Sequence, residues 1–346
     1  MKTEVYSAVS QKENGTRLGA DLIRRGQIVA FPTETVYGLG ANGLDPGAVG
    51  RIFEAKGRPN DNPLILHVAR KSDVKALWTS IPPVARQLMD VFWPGPLTLV
   101  YFKSDIVPDE VTAGLPTVAV RCPRHKTALA LIRAAGLPVA APSANASGKP
   151  SPTTAQHVLE DMDGKIPLIL DGGPCKIGVE STVLSLTGTP RILRPGGVTK
   201  EMIEAVIGEV QLSSAVLAKL DQSEKVESPG MKYRHYAPDA EVIVVKGEAR
   251  AVANRIKSEY EHYESCGFSC TILATEQTKT FYHGKNYVII GDRDEPETLC
   301  ARLFSCLRRL SGSTDVILAE EQPAVGAGMA FMNRLLHAAG FKTLQA

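Results

Sequence analysis

The sequence predicts an α/β protein, with a mixed, twisted sheet over roughly the first two thirds and a small Rossmann-like α/β domain after it. Three observations carry this expectation. Up to about residue 211, short apolar strands are separated by few and unequal helical stretches, as in a mixed sheet. From about residue 239, strand and helix periodicities alternate, as in a doubly wound parallel sheet. Between them, residues 212–238 pass from a polar, charged run into Pro, Gly and aromatic residues, the composition of a linker. The expected organisation is a first domain over 1–211, a linker over 212–238 and a C-terminal domain over 239–346.

In the first domain the strands are read in GQIVAFP, PLTLVYF, TVAVRCP, LPVAAPSA, PLILDGG and STVLSLT. Several run into proline followed by a polar residue, at Phe31-Pro32-Thr33, Cys122-Pro123-Arg124 and Ala141-Pro142-Ser143. Proline fixes φ and cannot donate to a ladder, so each strand stops sharply and releases a stiff loop, the usual place for a ligand. Asp45 and Pro46 read as the cap and first position of a helix whose apolar face is Val49, Ile52 and Phe53. Gly57 ends it, and Arg58, preceding Pro59, is driven into extended space. Beyond the linker the order is strand AEVIVVKG, helix EARAVANRIKSEYEHY, strands FSCTILAT and NYVIIGD, helix PETLCARLFSCLRRL, strand TDVILAEE and helix GMAFMNRLLHAAG.

Charge narrows the functions. Thirty-nine basic against 37 acidic side chains leave a formal charge of +2, so no chain-wide field draws the protein to nucleic acid or an anionic membrane. No apolar run approaches the roughly 18 to 20 residues of a membrane span, and the start MKTEVYSAVSQKENG has no hydrophobic signal core, which predicts a cytoplasmic protein. The six cysteines form no C-x-x-C and no paired zinc-ligand set, and read as reduced structural thiols.

Any anion is therefore recognised locally. In AKGRPNDNPL, Lys56 and Arg58 straddle a helix end, where a turn can aim both at one point. No P-loop is present. GLGANG at 38–43 has Rossmann-like spacing but follows TETVY and lacks an enclosing βαβ unit, and Gly326 and Gly328 read either as an anion-binding helix N-terminus or, more readily, as a tight turn. The informative residues are distributed over FPTETVYGLG, KGRPNDNPLILHV, PGPLT, TVAVRCP, APSANASGKPSPT, GVESTVLSL and LRPGG. These strand-end segments collect hydroxyls, amides and cations with few carboxylates. Such a pocket suits a polyphosphate beside a small zwitterion.

With Lys-x-Arg at Lys56 and Arg58 and Ser-x-Asn at Ser143 and Asn145, each among its expected neighbours, the chain resembles the threonylcarbamoyl-AMP synthases. The likeness is to their two-domain form, with a YrdC-type catalytic domain, a linker carrying SPGMKYRHYAP and a smaller C-terminal domain, and it spans nearly the whole chain. It implies condensation of L-threonine, bicarbonate or CO2 and ATP into threonylcarbamoyl-AMP and pyrophosphate, which feeds formation of threonylcarbamoyl-adenosine next to the anticodon of tRNA. It implies catalytic roles for Lys56, Arg58, Ser143 and Asn145. Thr35, His67, Arg121, Ala141 and Ser181 are implied for threonine: Arg121 to clamp the carboxylate, Ala141 to offer backbone and shape alone. Asn62, Thr117, Ser151, Arg194 and Tyr236 are implied for ATP, together with the four signature residues. Tyr236 lies in the linker, which is then expected to close as a lid over a labile adenylate. Mg2+ is expected as the counter-ion of ATP with no dedicated protein ligand, Glu34 being the only nearby acid considered. Partners implied are the downstream tRNA threonylcarbamoyl-transferase machinery and no membrane; direct tRNA binding is left open.

Two other classes were weighed. A double-stranded RNA or tRNA-binding protein without its own catalysis would use the basic cluster Arg121, Arg124, His125 and Lys126, and its binding would weaken steeply with salt. A dinucleotide oxidoreductase would be built on Gly38–Gly43 and would change nicotinamide absorbance.

Overall fold

The structure, a computed structural model, describes residues 2–7, 12–216 and 235–346. They form two compact units, one of residues up to 147 and 151–216, the other of 148–150 and 235–346. The greater part of the expected linker and lid, residues 217–234, lies outside the described residues.

Among the described residues, the strands of the first unit are β1 (Glu4–Ser7), β2 (Val29–Phe31), β3 (Gly38–Asn42), β4 (Ile65–His67), β5 (Leu97–Phe102), β6 (Thr117–Arg121), β7 (Val139–Ala140), β8 (Leu168–Asp171), β9 (Thr182–Ser185), β10 (Arg191–Arg194) and β11 (Gln211–Leu212). They build one mixed sheet in the order β1-β8-β2-β3-β7-β4-β6-β5-β9-β10-β11. The mixed class read from the sequence is what forms: β4 pairs with β6 in parallel, and β6 with β5 antiparallel.

Alternation along β6 explains its two faces. Val118 and Val120 enter the main core with Leu66, Leu97, Leu99, Leu184 and Ile192. Thr117, Ala119 and Arg121 face the other way, where Ala119 joins Ile65, Val100, Val183 and Leu193 in a small apolar floor. A further apolar layer, with Ile23, Phe31, Leu131 and Val139, lies under the helices Lys12–Arg24 and Lys126–Ala135, which pack together.

The helix Pro46–Lys56 forms as its ends demand. Asp45 Oδ1 accepts from Gly47 N at 2.9 Å and Ala48 N at 3.2 Å, and Gly57 closes the helix at φ 60°. The GLGANG run is no phosphate loop: Gly38–Asn42 is β3, antiparallel to β2, and a Cβ on Gly40 would lie 2.7 Å from Phe31 Cε1 and from Val139 Cγ1. Its glycines let strands pack closely. The strand β1 and the helix Lys12–Arg24, absent from the reading of the polar N-terminal stretch, pair with β8 and cover the sheet. An edge strand of four residues with an exposed face carries no apolar alternation to announce it.

The second unit has strands β12 (Glu241–Lys246), β13 (Cys270–Thr275), β14 (Tyr287–Gly291), β15 (Val316–Glu320) and β16 (Thr343–Gln345), all parallel, in the order β14-β13-β15-β12-β16. The helices Ala249–Ser265, Pro296–Leu310 and Ala327–Ala338 connect them, as the alternating pattern predicts. Its core joins Ile243, Val245, Ile272 and Leu318 to Val252 and Ile256 of the first helix. Only β16, a short and largely exposed edge strand, was absent from the sequence reading. No helix among the described residues is long and apolar enough to cross a membrane.

Candidate active site

Strand register assembles the site. His67 of β4 is opposite Arg121 of β6, Arg121 is opposite Thr98 of β5, Thr98 is opposite Val183 of β9, and Val183 is opposite Arg194 of β10. Residues paired in register share a face. Segments remote in sequence therefore place an imidazole, a guanidinium, a hydroxyl and a second guanidinium in one row beside the apolar floor. Thr117 shares that face at the far end of β6, about 13 Å from Arg121 at ~3.3 Å per residue.

At the Arg121 end the guanidinium is fully oriented and 4% exposed. Nε donates to Gly95 O at 3.2 Å, Nη1 donates to Thr35 Oγ1 at 2.9 Å, and Nη2 ion-pairs with Glu34 Oε1 at 2.8 Å. Thr35 Oγ1 is 2.8 Å from Thr33 Oγ1, which itself donates to Val36 O, so the PTET turn is tied to the arginine. Ser181 Oγ lies 2.7 Å from Thr98 Oγ1 and accepts from Arg194 Nη2 at 3.3 Å. Burial, then the Arg121 charge, pushes the His67 pKa down to about 3, so the ring is neutral at physiological pH. His67 Nδ1 is buried with no hydrogen-bond partner among the described residues. Ala141 is buried on the same side, its N–H donating to Ile65 O at 2.9 Å.

At the other end the signature residues form one network. Lys56 is 5% exposed, and its Nζ donates to Ser143 O at 2.6 Å and Asn145 O at 2.5 Å, with Asn145 Oδ1 at 3.5 Å. Ser143 Oγ donates to Asn145 Oδ1 at 2.5 Å, and Ser147 N to Lys56 O at 2.9 Å. The lysine anchors the Ser-x-Asn loop while keeping its charge inside the site, since carbonyl dipoles offset the cost of burying it. Arg58 Nη2 donates to Asn62 O at 3.2 Å and Pro63 O at 3.3 Å, which turns the arginine back over its own loop. The Asn62 side chain is 1% exposed, and neither amide atom has a hydrogen-bond partner among the described residues. Ser151 is fully buried and donates to Glu180 Oε1 at 2.5 Å. Arg194 donates to Ser181 O from Nε at 3.2 Å and Nη2 at 3.1 Å, tying an expected ATP residue to an expected threonine residue.

Tyr236 belongs to the second unit. It is 6% exposed at φ 64°, its ring 5.1 Å from Phe304 and 5.7 Å from the Arg334 guanidinium. The basic cluster weighed for RNA does not form a stripe: Arg121 is buried in its ion pair, leaving Arg124 and Lys126 exposed. Glu34, the acid considered for Mg2+, is ion-paired with Arg121; no group of three or more His, Cys, Asp or Glu among the described residues could hold a metal ion. Burial pushes the thiols of Cys122 and Cys175 up to about 11 and about 12, which keeps both protonated and suits a structural role.

Several residues now seen to shape the site had no role assigned from sequence. Glu34 and Thr33 orient Arg121 and Thr35, Thr98 holds Ser181, and Glu180 holds Ser151. Each lay inside a strand-end segment already singled out, but its partner is remote in sequence. Gly196 also belongs here. A Cβ at that position would lie 2.3 Å from Glu180 O and Thr182 N, so LRPGG requires glycine to pass against Ser181.

Residues 21–196 match the family described as "Telomere recombination", and residues 198–340 match "Threonylcarbamoyl-AMP synthase, C-terminal domain". The chain is 50% identical over 334 residues to threonylcarbamoyl-AMP synthase of Pyrococcus abyssi, covering 95% of each chain. It is 48% identical over 345 residues to that of Bacillus subtilis, covering 99% of this chain and 98% of the relative. It is also similar to a crystal structure of P. abyssi Sua5 complexed with L-threonine, at 48% identity and a TM-score of 0.93, covering 99% of this chain and 100% of that one. A sequence and fold shared end to end with these proteins show that this chain, with its row of polar side chains and its lysine-anchored Ser-x-Asn loop, belongs to the threonylcarbamoyl-AMP synthase family.

Proposed function

We propose that the protein condenses L-threonine, bicarbonate or CO2 and ATP into threonylcarbamoyl-AMP and pyrophosphate. The observation that carries this reading is the buried, partnerless polar atoms of two residues expected to hold substrate: His67 at Nδ1, in register with Arg121, and Asn62 at both amide atoms, its carbonyl held by Arg58. Buried polar groups are nearly always satisfied, so such orphans point to a bound polar ligand.

Threonine would sit at the Arg121 end, its carboxylate on the guanidinium and its polar groups on Thr35, Ser181 and neutral His67. The neutral ring adds no charge to compete with the ammonium group. The amine, once deprotonated, attacks CO2, and a carbamate oxygen then attacks the α-phosphorus of ATP in line with departing pyrophosphate. No protein nucleophile takes part; the work is positioning and charge. Arg58 and Arg194, each held by carbonyl oxygens of its own surroundings, supply cations for the phosphates, and the buried charge of Lys56 adds to their field. Mg2+ would arrive with ATP as its counter-ion, and no residue of this chain is assigned to it. The product would pass to tRNA threonylcarbamoyl-transfer machinery in the cytoplasm.

The test is pyrophosphate release from ATP with and without L-threonine and bicarbonate. Release should require threonine, and Arg58→Ala should slow it about 100-fold or more. Release independent of threonine would refute the reaction.

A further inference from the structure

The second unit contains a cleft of about 390 Å³ at the carboxyl ends of β12 and β15. Its position follows from the topology. From β12 the chain crosses through helix Ala249–Ser265 to β13, while from the adjacent β15 it crosses through helix Ala327–Ala338 to β16, on the other side of the sheet. Loops leaving neighbouring strands in opposite directions open a crevice between them, the place where doubly wound sheets bind small ligands.

The cleft is furnished unevenly. Lys246, at the end of β12, and Glu321, just after β15, line it, and neither side chain has a hydrogen bond or ion pair among the described residues. Arg293, from the loop after β14, is held in place: its Nε donates to Gln322 Oε1 at 3.1 Å, and its Nη2 lies 3.7 Å from Glu320 Oε2. Glu320 is 3% exposed and is itself fixed by Tyr282 Oη at 2.6 Å and Thr278 Oγ1 at 3.0 Å. The buried carboxylate thus acts through Arg293, aligning one guanidinium at the rim. Val252, Met332 and Leu336 add an apolar part to the lining.

A bare inorganic anion would gain from Lys246 and Arg293 but would also face the Glu321 carboxylate. A ligand carrying hydroxyl donors beside its anionic group satisfies all three, and the apolar part accepts a flat ring. We propose that this cleft binds a nucleoside 5′-phosphate, with Lys246 and Arg293 on the phosphate, Glu321 accepting from the ribose hydroxyls, and the base against Val252, Met332 and Leu336. The cleft is lined by residues of the second unit alone, and the proposal does not depend on the reaction proposed for the first.

The experiment is equilibrium binding of AMP to the full-length protein and its variants, with folding checked by circular dichroism. Arg58→Ala, which alters the first unit, should retain one AMP site. In that background Lys246→Ala should weaken AMP about tenfold or more, as should Arg293→Ala. Lys246→Ala is the more informative, because its side chain holds no partner whose loss could unfold the unit. Glu321→Gln should weaken AMP but leave 2′,3′-dideoxy-AMP unchanged. Absence of AMP binding by Arg58→Ala at millimolar concentration, or binding indifferent to both Lys246→Ala and Arg293→Ala, would overturn the site. Equal effects of Glu321→Gln on the two nucleotides would overturn the ribose assignment. Threonine-dependent pyrophosphate release draws on none of Lys246, Arg293 and Glu321, so the two readings fail separately.

Discussion

At the scale of single residues, Arg121 shows how one side chain gathers three segments. Its fork takes Gly95 O, Thr35 Oγ1 and Glu34 Oε1 at once, three directions that an ammonium on a flexible stem cannot reproduce. Arg121→Lys should raise KM for threonine about tenfold or more while leaving KM for ATP within about twofold, a split read directly by steady-state kinetics. Equal losses in both would refute an orienting role confined to threonine. His67 gives a second prediction, in stability. Its folded pKa of about 3 lies below the ordinary 6.5, so as pH falls the unfolded chain takes the proton first. The His67 contribution is absent above pH 6.5 and destabilises progressively from there down toward pH 3, by at most about 1.4 kcal/mol per pH unit. His67→Gln should flatten the fall of Tm between pH 6.5 and pH 4 relative to the parent; parallel curves would contradict a buried neutral ring.

At the scale of elements, the helix Pro46–Lys56 was fully legible, because Asp45, Pro46 and Gly57 act through local backbone chemistry. The convergence of Lys56 on Ser143 and Asn145 was legible only through the family signature, since those contacts span 87 and 89 residues. Lys56, expected to face phosphate, anchors a loop through Ser143 O and Asn145 O, a role that no local pattern announces. LRPGG is the opposite case: it was singled out, but the need for Gly196 follows only from the backbone of Ser181 passing beside it. Gly196→Ala should push that backbone away and shift Ser181 from Thr98. We expect a loss of about 1 to 3 kcal/mol in stability with a weakened KM for threonine, checked by denaturant unfolding and kinetics on the same variant. An unchanged KM would separate the glycine from the threonine row.

At the scale of the whole molecule, the second unit has a complete parallel sheet, helices and an apolar core of its own. A fragment of residues 239–346 should therefore unfold as one cooperative transition on heating, measured by calorimetry; a broad, non-cooperative melt would show that its core is incomplete alone.

By itself the sequence determined the α/β class, the alternating order of the second unit, the helix ends around Asp45 and Gly57, and the segments from which a site is made. These depend on periodicity and on local backbone preferences, which act over a few residues. Only the tertiary structure decided that His67, Arg121, Thr98 and Arg194 share one face, that Glu34 pairs with Arg121, and that Gly38 and Gly40 pack against Phe31. Strand order and register bring those groups together across tens of residues, and a side chain's role follows from its partner there.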